Sequence, residues 1–121
     1  MRARLKALSS DDVPDLAAWR PPLPDEFAVA LVLEVGALGH RGRERFEVLA
    51  ATPRWLEKRH ARAGAVSGQG LLLVFAWDYP KLRAWLAKEV ERCSGASWPE
   101  VARQVSRLGR WEGGDEVVGL R

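Results

Sequence analysis

The sequence predicts an α+β fold: one domain in which a mostly antiparallel sheet of four or five strands packs against two or three helices. Three observations carry that prediction. A nearly continuous β-rich run, Phe27–Ala37, is followed by the turn signal Gly39-His40-Arg41-Gly42 and by the alternating segment Glu44–Ala51, which together spell a β-hairpin. At Thr52-Pro53 the second strand turns straight into a helical start. Two further stretches, from Tyr79 and from Trp98, place their apolar residues at helical spacing. A chain of 121 residues suits one domain and can bury roughly two-thirds of its unfolded surface without a metal or disulfide staple.

From the N-terminus, Ala3–Leu8 alternates and is expected to be a first strand. Ser9–Glu26 follows as a long ordered loop. Val13–Trp19 allows a helical turn in it, but Pro21, Pro22 and Pro24 forbid continuation. Its acids Asp11, Asp12, Asp15, Asp25 and Glu26 face only Arg20, leaving four net negative charges. Phe27–Ala37 is a central strand, broken only by Glu34. The Thr52 hydroxyl can accept a bond from a free N–H of the next helical turn, and Pro53 fits the first helical position because it has no N–H to satisfy. A helix is therefore expected over Pro53–Arg62, ending near Gly64.

Leu71–Trp77, uniformly apolar, reads as a fourth strand buried on both faces. Asp78 caps a helix from Tyr79 to Cys93 with Leu82, Trp85, Leu86, Val90 and Cys93 on one face, and Ser94-Gly95 stops it. Ser97-Trp98-Pro99-Glu100 spells a capping box. The helix behind it sets Trp98, Val101, Ala102, Val105 and Leu108 on one stripe and ends at Gly109. Arg110-Trp111-Glu112 begins a last strand, interrupted by Gly113-Gly114.

Composition excludes several classes. The longest apolar runs, Phe27–Leu33 and Leu71–Trp77, have seven residues each, whereas a membrane helix needs about 20. The N-terminal MRARLKALSSDD lacks an apolar core of signal-peptide length and reads as part of the fold. With Cys93 as the single cysteine, no internal disulfide can form, and a reducing, cytoplasmic compartment is expected. Six tryptophans are many for this length, and four or more are expected to fill the core.

No catalytic, cofactor-binding or metal-binding constellation emerges. His40 and His60 stand at no metal-ligand spacing, Cys93 lies on an apolar stripe, and Gly64, Gly68 and Gly70 precede a strand, whereas a phosphate-binding loop follows one. The run Arg41–Arg45 with Arg54, Lys58, Arg59 and Arg62 is a basic-patch candidate. It keeps open an alternative function, a small nucleic-acid-binding or regulatory protein using the Arg41–Arg62 surface. Glu44, Glu47 and Glu57 interrupt the run and favour a mixed-charge surface, and the net charge is only +3.

Read in order, the segments FEVLAATPRWLEK, WDYPKL and SWPEVARQVSRLGRWE resemble the immunity protein 8 family of bacterial polymorphic-toxin systems. The most specific pieces are Thr52-Pro53-Arg54-Trp55-Leu56 and Ser97-Trp98 with Gly109-Arg110-Trp111-Glu112. The likeness spans residues 1–112. Family members continue after the final Trp-Glu with an aromatic and further acids, so 113–121 is a divergent tail. The resemblance implies a small α+β protein, without enzymatic activity or cofactor, whose partner is a cognate toxin domain encoded nearby. Many nuclease-blocking immunity proteins are acidic; this chain is not. Thr52, Pro53, Trp55, Ser97, Trp98, Gly109 and Trp111 are expected to be structural, with the rings wedging helix to sheet. The partner-binding set is expected on the Pro-stiffened loop: Asp11, Asp12, Asp15, Trp19, Asp25 and Glu26. An exposed edge strand would also allow a homodimer.

Overall fold

The computed structural model describes residues 1–113. The chain runs β1 (Ala3–Ser9), β2 (Ala28–Ala37), β3 (Glu44–Ala51), α1 (Pro53–His60), β4 (Leu71–Leu73), α2 (Tyr79–Glu91), α3 (Trp98–Val105) and β5 (Arg110–Trp111). The sheet order is β1-β2-β3-β4, with β5 also pairing β3. Every pairing is antiparallel except β3 with β4, which is parallel. From residue 114 onward the divergent tail lies outside the described residues.

The hairpin forms in the register that its alternation demands, from Val35 opposite Glu44 to Ala28 opposite Ala51. A period of two then puts Val29, Leu31, Leu33 and Val35 on the same face as Phe46, Val48 and Ala50, all buried. Ala3, Leu5 and Leu8 continue that face on β1. An irregularity between Leu5 and Ala7 restores the inward phase for Leu8. Leu82, Leu86 and Val90 of α2, Cys93 just after it, and Val101, Ala102 and Val105 of α3 close the core from above. Trp19, Trp77, Trp98 and Trp111 pack against it, so four of the six indoles serve the interior.

Gly36 is required by a close approach rather than by its backbone angles. A Cβ there would stand 2.1 Å from the Gly42 carbonyl oxygen and 3.0 Å from Cε of Lys6, whose ammonium bonds the His40 and Gly42 carbonyls of the hairpin turn. Gly36→Ala is expected to cost about 2 kcal/mol, because the turn must move to admit one methyl. Urea unfolding checks this; a wild-type midpoint would mean that the turn yields freely.

Four expectations need correction. β4 covers only Leu71–Leu73 rather than reaching Trp77, and it is not buried on both faces: Leu73 is 56% and Phe75 78% exposed. It is the sheet's edge, and after Val74 the chain leaves β3, with the Trp77 N–H bonding Pro24 O instead. Trp85, placed on the buried stripe of α2 by its spacing, is 44% exposed and lines a groove beside that edge. The capping box is half made. Ser97 occupies the cap position without a side-chain bond, and Glu100 reaches past it to the Ala96 N–H. Lastly, α1 stops at His60 and buries no residue, so Trp55 does not wedge it to the core. The Trp55 ring lies under the Arg59 guanidinium at 5.6 Å and meets His60 edge-on.

Candidate docking surface

The loop between β1 and β2 is ordered from its own residues outward. Asp15 starts a turn in which its carboxylate accepts the Ala18 N–H and its carbonyl accepts the Trp19 N–H. That turn sends Leu16 into the core, where it is 5% exposed. Trp19 then meets Phe27 and Trp77 edge-to-face, at centroid distances of 5.9 and 4.8 Å. Its carbonyl accepts the Trp77 indole N–H at 3.1 Å, and the Pro24 carbonyl accepts the Trp77 backbone N–H at 3.0 Å. Trp77 thus ties both ends of the proline segment to the stretch leading into α2. No signal in the sequence links these positions, because the contact joins residues far apart in the chain.

The six residues expected to bind a partner do not converge on one point. Asp11 lies against Arg45 of β3 at 3.1 Å, while Asp25 and Glu26 face Arg54 and Lys58 of α1 at 3.4 and 3.0 Å. Asp12 is exposed, Asp15 is occupied by its turn, and Trp19 is half-buried. Asp25 and Glu26, with α1, form a face of mixed charge. The same pairs divide the basic run: Arg43 meets Glu34, Arg45 meets Asp11 and Glu112, and Arg54 and Lys58 meet the loop. These contacts are exposed and each contributes little to stability, but they place carboxylates among the cations where a phosphate backbone would need them absent.

Two residues are junctions, one of them in the motif. Thr52 is fully buried, and its hydroxyl oxygen accepts both the Phe27 N–H at 3.1 Å and the Trp55 N–H at 3.3 Å. One oxygen thereby joins the end of the loop, the start of β2 and the cap of α1, while Pro53 fills the first helical turn. Glu44 is the other. Its carboxylate accepts the Trp111 indole N–H at 2.6 Å and the Trp98 indole N–H, binding α3 and β5 to the start of β3. Gly109 lets the chain between them pass β3, since a Cβ there would lie 3.2 Å from Glu47 O. Sequence reasoning found both indoles and missed the acid that holds them; nothing local distinguishes Glu44 from the other glutamates of the run.

Among the described residues no group of three or more His, Cys, Asp or Glu could hold a metal ion. Cys93 is buried, and that burial pushes its thiol up, away from the reactive thiolate. Within the described residues no helix is long and apolar enough to cross a membrane.

With the fold and its ordered, charged loop described, comparison with known families supplies the class, the immunity proteins of bacterial toxin systems. The chain belongs to the Immunity protein 8 family, whose model matches residues 3–115. No curated protein and no solved structure matches it.

Proposed function

We propose that this protein neutralises a cognate toxin domain, encoded nearby, by binding it stoichiometrically in the cytoplasm and occluding its active site or a surface it needs. The observation that carries the reading is the family match, which takes in nearly all of the chain. The geometry supports it through the loop at 11–26. Its backbone is already ordered by Leu16, Trp19 and Trp77, so little conformational entropy is lost on docking. Asp11, Asp12, Asp15, Asp25 and Glu26 supply its polar recognition, and Trp19 stiffens it from beneath. The protein acts by fit and without turnover; complexes of this kind can reach dissociation constants of about 10⁻¹³ M.

Co-expression is the test. Each toxin domain encoded beside this gene is expressed with and without the chain. Survival only in its presence, with a 1:1 complex on purification, is the expected result. Equal killing in both cases for every neighbouring toxin would end the proposal.

A further inference from the structure

One edge of the sheet is β4, and the exposed Phe75 follows two residues beyond it. β4 is the last strand of the path, and its inner side is used by β3: the Val74 N–H bonds Ala51 O and Gly70 O accepts the Leu49 N–H. Alternation along a strand then turns the N–H and C=O of Leu73 outward, the two groups that an added antiparallel strand exchanges as one pair. Beside that edge lies a groove of about 440 Å³ walled by Leu72, Leu73, Val74, Phe75, Leu82 and Trp85. Phe75 is 78%, Leu73 56% and Trp85 44% exposed. A strand laid on β4 would direct alternate side chains into this groove, which continues the core past the sheet's end.

We propose that the β4 edge and its groove receive an extended segment of the toxin, apolar at alternate positions and flanked by a carboxylate. This rests on the function proposed above and names the mode of docking. The charge preference comes from the rim. The exposed Lys81 ammonium, in no ion pair among the described residues, is the group such a carboxylate would meet, beside Asp78, which keeps its own negative charge while it caps α2 by accepting the Lys81 N–H.

A second copy of this chain fits less well. Two-fold pairing would join strands of only three residues. Partly exposed aromatics, each burying at most about 150–250 Å², leave the patch short of the roughly 800 Å² per partner of a stable interface. A toxin can make up the difference by reaching the loop as well, which a hydrogen bond ties to the stretch that follows β4. The Trp77–Pro24 hydrogen bond brings Leu23, 52% exposed, beside the same end of the molecule.

The experiment uses the full chain and the toxin domain found by co-expression. Phe75→Asp and Trp85→Glu change exposed positions, so thermal unfolding should match wild type, while affinity should fall roughly 30-fold or more, as for an interface hot spot. Hydrogen exchange should show the Leu73 amide protected only in the complex. If the wild type binds tightly and both variants bind equally well, the groove is not the interface, and the proposed function stands without it. Weaker variants with an unprotected Leu73 amide would replace strand addition by side-chain contact alone. A concentration-dependent dimer of the free chain, dissolved by Phe75→Asp, would assign the edge to a second copy. Failure of the wild type to bind any neighbouring toxin would remove both proposals.

Discussion

Replacing Thr52 by valine should lower the unfolding free energy by about 3 kcal/mol, because two N–H groups lose their acceptor while the packing volume is unchanged. The side chain is fully buried, so no water can take the oxygen's place at the Phe27 N–H. The second donor, the Trp55 N–H, loses its helix cap, a change that alone typically costs about 1 kcal/mol. In a domain of this size the midpoint of thermal unfolding should fall by about 10 °C. Thr52→Ser keeps the oxygen and loses only a methyl, so it should recover most of the difference. Calorimetry and urea titration of both variants decide the matter. A valine variant within experimental error of wild type would show that the backbone finds other partners. Under the proposed function toxin binding should weaken in parallel, since the same oxygen holds the end of the loop proposed to dock.

Glu44→Ala should cost a similar amount, about 3 kcal/mol, by releasing two indole N–H groups from one charged acceptor. The informative partner is Glu44→Gln. An amide offers one acceptor oxygen and turns an NH₂ toward the other indole, so the loss should be about half. The order wild type, Gln, Ala is therefore the expected result in chemical unfolding, with indole fluorescence reporting the freed Trp98 and Trp111. A glutamine variant as stable as wild type would mean that only one of the two bonds matters. The clamp ties α3 and β5 to β3 through a residue that belongs to neither, so its loss should loosen that end of the molecule before the hairpin.

Much of the fold could be read along the chain. The β2–β3 hairpin follows from alternation around a glycine turn, and the starts of α1 and α2 follow from Thr52 and Asp78, each of which accepts its expected backbone N–H. The loop between β1 and β2 was visible as a proline-bounded acidic segment. Its internal pairing was not: nothing between Asp25 and Arg54, or between Glu26 and Lys58, announces that the loop and α1 lie side by side. Trp85 and Phe75 misled for a related reason. Helical spacing and uniform apolarity say which side chains share a face, but not whether anything stands opposite that face.

Element type and order and the caps of α1 and α2, together with family membership, were thus determined by the sequence alone, since these depend on each residue's near neighbours and on motifs spelled contiguously. The tertiary structure decided that β4 runs parallel and ends the sheet, that Glu44 gathers two distant indoles, and that the apolar run after Leu71 stays open to solvent. The physical reason is that burial and pairing belong to two surfaces at once. A run of leucines carries its own hydrophobicity; whether another strand covers it depends on how the rest of the chain has packed, or on a partner that the chain has yet to meet.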